Sequence, residues 1–297
     1  MRVLVIIVSY NFLPWMDRCL GSLRRSILPV DIIVIDNGSQ DGTQQAVRER
    51  FPEVLLVQSK ANIGFGRANN IGIARALSEG YDGVFLLNQD AWVDPDTIQT
   101  LARLSAENPA YGVLSPVHLT AGRDALERGF AAYAGLSSLQ SLPEKRQIQP
   151  LPFVDAALWY IPASALRQVG GFSPLFHMYG EDKDFCNRLA YHHRLVGYVP
   201  TVFGVHDRAN RQPTRAAFLR SEATYLLSEY ANVNHSLPKA FAMGVLATVK
   251  KGLLAAGKGR VGLAFSYLKI ALRLLRLTPK VCLARWQSAH VNLHNYR

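Results

Sequence analysis

Residues 3–43 read VLVIIVSYNFLPWMDRCLGSLRRSILPVDIIVIDNGSQDGT, and this stretch decides the fold. VLVIIVSY (3–10) is a short apolar run bounded by polar residues, which reads as a buried strand. Pro14 and the segment to about Ser26 read as a helix. DIIVIDN (31–37) is a second, β-branched run that ends in the turn GSQDGT. A strand, a helix and a strand in such short compass is the start of a βαβ unit.

The same rhythm continues outward. VLLVQS (54–59), GVFLLNQD (83–90) and GVLSPV (112–117) are further strand runs. NIGFGRANNIGIARALSEG (62–80) reads as a loop opening a helix that stops at Gly80, and Asp94-Pro95 starts another helix. Near-continuous apolar strands alternating with helices predict an α/β fold, a mostly parallel Rossmann-like sheet covered by helices on both faces. Residues 118–150 lack periodicity and read as a variable loop. FVDAALWYIP (153–162) is extended, EDKDFCNRLAYHH (181–193) helical and VGYVPTVFGVH (196–206) extended. From about Thr214 the pattern is helical, broken at Pro238, Gly257-Lys258-Gly259 and Pro279. This divides the chain into an α/β part, 1–212, and a helical C-terminal region, 213–297.

In an open α/β sheet the ligand lies at the carboxyl ends of the strands. Ser9, Tyr10, Asn11, Asp36, Asn37, Asn62 and Asn88-Gln89-Asp90 all fall on that rim. Asp36, between a strand tip and the glycines 38 and 42, suits the imide edge of a uracil or thymine, although a turn aspartate needs no ligand. Asp90 is placed to hold a divalent cation against a diphosphate, since Asp94 already suits the cap of the next helix. Glu181-Asp182 at a helix start suits a general base for an acceptor hydroxyl, or acids complementing the helix dipole. His206 closes the strand 196–206 as a candidate second metal ligand. GFGRAN (64–69) resembles a dinucleotide fingerprint, but Asn69 replaces its third glycine and it follows the third strand, so a dehydrogenase is excluded.

Bulk properties bound the rest. With 49% hydrophobic and 19% charged residues the chain is globular in composition. Cys19, Cys186 and Cys282 have no metal-ligand spacing and read as reduced thiols. The first apolar run is too short for a signal peptide and no run reaches the ~18 residues of a membrane span, so a cytoplasmic protein is expected. Residues 1–229 hold 22 Lys and Arg against 22 Asp and Glu; residues 230–297 hold 11 and none, so the net charge of +11 lies entirely in the tail. In VGLAFSYLKIALRLLRLTPK (261–280), Lys269, Arg273, Arg276 and Lys280 form a stripe beside a broad apolar face. Such a helix either lies on an anionic membrane surface or packs on its own domain or a second copy as a homodimer. Nucleic acid is disfavoured, because few aromatics interleave with the charges and no binding module is recognisable.

Taken in order, VSYN (8–11), VIDNGSQDGT (34–43), NIGFGRANN (62–70), LLNQD (86–90), GGF (170–172), FHMYGEDKDF (176–185) and VPTVFGVH (199–206) resemble the family 2 glycosyltransferases of the GT-A fold, over about 200 of 297 residues. The nearest branch in pattern is the rhamnosyltransferase-like enzymes of bacterial surface polysaccharide assembly. The resemblance implies inverting transfer from a nucleotide-diphospho-sugar, dTDP-rhamnose or a UDP-sugar, to a hydroxyl of a glycan or lipid-linked glycan. It implies a donor site of Ser9, Tyr10, Asn11, Asp36, Asn37, Asn62, Gly64, Asn69, Asn88 and Gln89. It also implies Mg²⁺ or Mn²⁺ on Asp90 and His206, with Asp182 as base beside Glu181. Asn88 and Gln89 depart from the family's acidic motif, leaving one carboxylate for the cation. Trp159, Phe176 and Tyr179 are expected to wall the acceptor pocket, at the inner face of the cell membrane if the acceptor is lipid-linked. A catalytically silent sugar-nucleotide-binding scaffold is the alternative.

Overall fold

The computed structural model describes residues 1–144, 147–208 and 214–290. β1 (Val3–Ser9), α1 (Met16–Arg24), β2 (Asp31–Asp36), α2 (Thr43–Arg50), β3 (Leu55–Gln58), α3 (Phe65–Ser78) and β4 (Gly83–Leu87) follow one another as the sequence leads one to expect. Their strands pair in parallel in the order β3-β2-β1-β4. β1 and β4 are buried almost throughout, which is why their apolar runs are uninterrupted.

The second half departs from a parallel sheet. It comprises β5 (Ala91–Val93), α4 (Thr97–Glu107), β6 (Tyr111–Leu119), α5 (Arg128–Ala134), β7 (Gln149–Leu151), β8 (Leu158–Pro162), α6 (Ala163–Val169), α7 (Glu181–Tyr191) and β9 (Leu195–His206). β8 runs antiparallel between β4 and β6, and β9 pairs parallel with β6 but antiparallel with β5 and β7. The sheet is therefore mixed. An apolar run buried on both faces carries no signal of strand direction, so sequence alone extends the parallel pattern too far.

Helices cover both faces. On one, α3, α6 and α7 bury Ala68, Ile73, Leu166, Phe185 and Leu189 against β1, β4 and β8. On the other, α1, α2 and α4 bury Met16, Leu20, Val47, Ile98 and Leu101. The region expected as loop, 118–150, contains α5 and β7. Glu127 caps α5, its Oε2 accepting from Phe130 N at 2.8 Å. These elements are too short for their periodicity to register. Asp94 does not cap α4; its carboxylate pairs with both terminal nitrogens of Arg123 at 2.8 and 2.7 Å.

One irregularity positions the site. Between β6 and β9 the register jumps from Pro116–Val199 to Val117–Phe203, so residues 200–202 bulge out of the ladder. Past the bulge, the last residues of β9 pair with β5, setting His206 opposite Ala91.

The C-terminal helices are α8 (Arg215–Ala231), α9 (Leu237–Gly257), α10 (Val261–Arg276) and α11 (Thr278–Ala289). The expected boundary at 212/213 lies outside the described residues. Pro238 and Pro279 each stand in the first turn of a helix, where a missing N–H costs nothing. The expected helix 261–280 therefore ends at Arg276 and restarts at Thr278. α9 contains a π-helical stretch, Ala242–Leu246, where a Cβ on Gly244 would lie 2.5 Å from Tyr230 Cβ. Leu226, Tyr230, Val245, Tyr267, Ile270 and Leu274 form a third core, which Phe176 of the α/β part enters. In contrast to the sequence expectation, α9 is long and apolar enough to cross a membrane by length and composition, with 28% of its most apolar window buried.

Arg188 ties α7 to the preceding Gly-Gly-Phe loop. It is buried, and donates to Asp184 Oδ2 at 2.9 Å, Val169 O at 2.5 Å and Gly171 O at 2.8 Å. Removing one member of such a buried pair strands the other charge. Arg188→Ala should cost about 3–5 kcal/mol in urea denaturation, and Arg188→Ala with Asp184→Ala distinctly less than the sum of the two single changes. Strict additivity would show that the pair is not coupled.

Candidate active site

A cleft of about 220 Å³ opens at the carboxyl ends of β1, β2 and β4, the location the fold class predicts. Ser9 and Tyr10 lead out of β1, Asn37 out of β2, and Asn88, Gln89 and Asp90 out of β4. Asn62 and Phe65 come from the start of α3, Asp155 to Ala157 from the segment before β8, and Met178, Tyr179, Glu181 and Asp182 from the start of α7. Arg208 follows β9.

Backbone and amide contacts brace the rim. Gln89 Oε1 accepts from Tyr10 N at 2.7 Å, while its Nε2 donates to Tyr10 O at 3.0 Å. This clamps the loop after β1 to the loop after β4. Asn37 Nδ2 donates to Asn62 Oδ1 at 3.1 Å, and Asn37 Oδ1 accepts from Ile63 N at 2.9 Å.

Several residues expected at the donor site lie behind this rim. Asp36 is fully buried, and its carboxylate accepts from Ser9 Oγ, Ser39 N and Oγ, and Gln44 Nε2. Its lone pairs are engaged in holding two loops together. Asn11, at φ 54°, braces the next turn through Gln40 N at 3.0 Å. Asn69 is buried in α3 and donates to Phe65 O. Gly64, at φ 89°, allows the His177 backbone to approach, since a Cβ there would fall 2.1 Å from His177 O. Of the three aromatics expected at the acceptor pocket, Tyr179 lines the cleft at φ 67° and half exposed. Trp159 is wholly buried between Phe172 and Phe185, and Phe176 sits in the C-terminal core. Large apolar side chains followed the core rather than the cleft.

Two charged groups face the cavity from opposite sides. On one, Asp90 Oδ1 lies 3.5 Å from His206 Nε2. His206 itself is buried beneath the cleft floor. The spacing suits two donors on one ion with bonds of about 2.0–2.2 Å, so the residues fit a divalent cation. On the other side, Glu181 and Asp182 start α7. Asp182 Oδ1 accepts from Lys183 N at 2.7 Å, while Glu181 Oε2 is buried without a partner. Burial pushes both carboxyls above the usual carboxylate range, and the adjacent Asp182 raises Glu181 further.

Sequence reasoning missed Asp155, His118 and Arg208, which gather here around His206, a residue it did name. Asp155, His118 and His206 are all buried and their ligand atoms lie within 4.8 Å of one another. Burial holds the His118 imidazole down at about 3, so it is neutral. Arg208 Nη1 donates to Asp155 Oδ2 at 3.0 Å. Asp155 could have been noticed as the one acid in the apolar run FVDAALWYIP. His118 carried no signal beyond its type.

Comparison with known proteins agrees with this architecture. A family profile for glycosyl transferase family 2 matches residues 4–167, more than half of the chain. The N-acetylglucosaminyl-diphospho-decaprenol L-rhamnosyltransferase of Mycobacterium tuberculosis is 29% identical over 252 residues, covering 75% of this chain and 82% of that protein. Among solved structures, S. aureus TarS 1–349 in complex with UDP-GlcNAc superposes with a TM-score of 0.56 at 14% identity, over 100% of this chain and 89% of that one. GalNAc-T7 with UDP, GalNAc and Mn²⁺ superposes with a TM-score of 0.60 at 13% identity, over 76% and 48%. The fold is thus that of the GT-A glycosyltransferases, and the chain belongs to glycosyl transferase family 2.

Proposed function

We propose that this glycosyltransferase transfers a sugar, with inversion, from a nucleotide-diphospho-sugar to a hydroxyl of a lipid-linked glycan. One observation carries the reading: Asp90, backed by His206, and Asp182 line the same cleft. Inverting displacement needs a base on the acceptor side and charge neutralisation on the leaving-group side. Tyr10, Asn37 and Asn62 would hold the nucleoside, and Asn88 and Gln89 the ribose and diphosphate, where Arg208 adds a positive charge. The name of the mycobacterial relative supports a rhamnosyl donor and a polyprenyl-diphosphate-linked acceptor.

Asp182 would take the acceptor proton on Oδ2, since Oδ1 is committed to Lys183 N. Its raised pKa makes it a stronger base than an exposed aspartate. Glu181 stays protonated and avoids a second negative charge beside it. Asp90 and His206 would hold Mg²⁺ or Mn²⁺, which when bound stabilises charge on the departing diphosphate.

The tail supports a membrane location. On α10, Tyr267, Ile270, Ala271 and Leu274 face the core, while Val261, Phe265, Leu268, Leu272 and Leu275 are exposed along a second stripe. At 100° per residue that stripe spans about 80°, and Lys269, Arg273 and Arg276 border it. Leu246, Val249, Leu253 and Leu254 of α9 add to the exposed apolar surface. An apolar stripe edged with cations, in a segment free of acids, suits an anionic bilayer surface.

Three measurements test these proposals. In Asp182→Asn, kcat should fall roughly 10²-fold or more with donor binding retained. Because the base acts deprotonated, wild-type kcat should rise with pH across an apparent pKa well above the ordinary ~3.9 of aspartate. Near-normal turnover in the variant removes Asp182 from the role. In thermal-shift assays, dTDP or UDP should raise the melting temperature, and Mn²⁺ should raise it further in the wild type but not in Asp90→Ala. If no nucleoside diphosphate stabilises the protein, the donor site is wrong and a silent scaffold is favoured. The full-length chain should sediment with anionic but not neutral vesicles and be released by salt. Changing Lys269, Arg273 and Arg276 to Gln should weaken binding ~100-fold, at about 1 kcal/mol per charge. Equal binding to both vesicle types, or none, removes the membrane assignment.

A further inference from the structure

His206 is surrounded by polar groups that core packing does not require. Asn88 Nδ2 lies 3.4 Å from its Nε2. An amide nitrogen only donates, so this contact needs a bare lone pair on Nε2 and places the ring proton on Nδ1. Among the described residues Nδ1 has no hydrogen-bond partner, and the carboxylate near it is Asp155, whose Oδ2 is 3.9 Å away. Oδ1 of the same carboxylate lies 3.4 Å from His118 Nδ1, and neither atom has a partner. His118 is anchored on its other side, with Nε2 2.8 Å from Ser115 Oγ. Arg208 reaches the carboxylate from the cleft at 3.0 Å. Leaving these groups buried and unpaired would cost far more than apolar residues in their place.

We propose that Asp155 is a positioning residue for His206: its carboxylate accepts the Nδ1 proton and so fixes the tautomer that presents the Nε2 lone pair beside Asp90. His118 and Arg208 hold that carboxylate in place. The 3.9 Å separation closes to a hydrogen bond of about 2.9 Å with a shift of ~1 Å. A carboxylate behind a ligating histidine sets ring orientation and basicity, and its loss lowers metal affinity about 10–100-fold. This also offers a reason why a single carboxylate, Asp90, can serve where Asn88 stands in place of an acid: the neutral ligand beside it is preset. The inference rests on the reading of Asp90 and His206 as the cation pair.

The test begins on metal-free, full-length protein labelled with ¹⁵N-histidine. Long-range ¹H–¹⁵N correlation reports which ring nitrogen carries the proton, and His206→Gln assigns the signal. The wild type should show His206 protonated on Nδ1 with a bare Nε2. In Asp155→Ala that preference should be lost. Mn²⁺ affinity, read from the EPR signal of free Mn²⁺, should fall 10–100-fold, with partial recovery in Asp155→Glu. The metal-free thermal shift with UDP or dTDP should persist. A wild-type His206 protonated on Nε2 overturns the proposal, and needs no variant to fold. So does an unchanged tautomer and Mn²⁺ affinity in Asp155→Ala. Stoichiometric metal kept by Asp90→Ala but lost in His118→Ala also overturns it, since Nδ1 would then hold an ion. Failure of the Asp90 reading alone shows differently, as a correct His206 tautomer without Asp90-dependent Mn²⁺ binding.

Discussion

The antiparallel pairing of β5 with the end of β9 is the contact on which the site depends. β5 is only three residues long, yet it sets His206 against Ala91 and lets Asp207 N donate to Asp90 O at 2.8 Å. Two residues 116 positions apart in sequence are thereby fixed within one ion's reach. The bulge at residues 200–202 shifts the register of β9 against β6, and beyond it β9 lies between β6 on one side and β5 on the other. A backbone ladder is a stiff way to hold two donors, and stiffness matters more when one carboxylate must do the work of several.

The opposite wall follows a different logic. Glu181 and Asp182 stand at the start of α7, where the helix dipole favours negative charge. Burial works against that preference and keeps both carboxyls more basic than their exposed counterparts. Asp184, one turn on, is neutralised by Arg188. Three acids in four residues thus divide between two tasks: one is paired to hold the α7 N-terminus against the Gly170-Gly171 loop, and two are left unpaired toward the cleft. Unpaired buried acids cost stability, a cost that structural residues rarely carry and reactive ones often do.

Much of this was legible in the sequence, and the failures share physical causes. β1 to β4 and their helices follow from apolar periodicity, since β1, β2 and β4 are buried almost throughout, and the short apolar run of β3 marks it although it is a part-exposed edge strand. Strand direction in the second half did not follow, because burial on both faces erases the alternation that distinguishes an edge from a centre. The rim positions Tyr10, Asn37, Asn88 and Asp90 were readable because strand ends meet the ligand by topology. Asp36 shows the ambiguity of a strand-tip acid, which can as easily bind its own loop: here it accepts from Ser9, Ser39 and Gln44. Trp159 and Phe176 misled because aromatic size signals burial before it signals function. Asp155 and His118 lay in segments read as a strand and a loop, and only tertiary structure joins them to His206.

The C-terminal helices show why one helical wheel can support two readings. The sequence of α10 contains two apolar stripes, and composition alone cannot say which one the protein covers. The structure divides them: Tyr267, Ile270 and Leu274 meet α8 and α9, while Phe265, Leu268 and Leu272 do not. A soluble helix needs only the first stripe. Retaining the second beside Lys269, Arg273 and Arg276 would invite aggregation in water, but it costs nothing if the surface meets lipid headgroups. The two readings offered by the sequence are therefore not exclusive. One face of the helix joins it to the α/β part through the core that Phe176 enters, and the other stays exposed, as the proposed membrane contact requires.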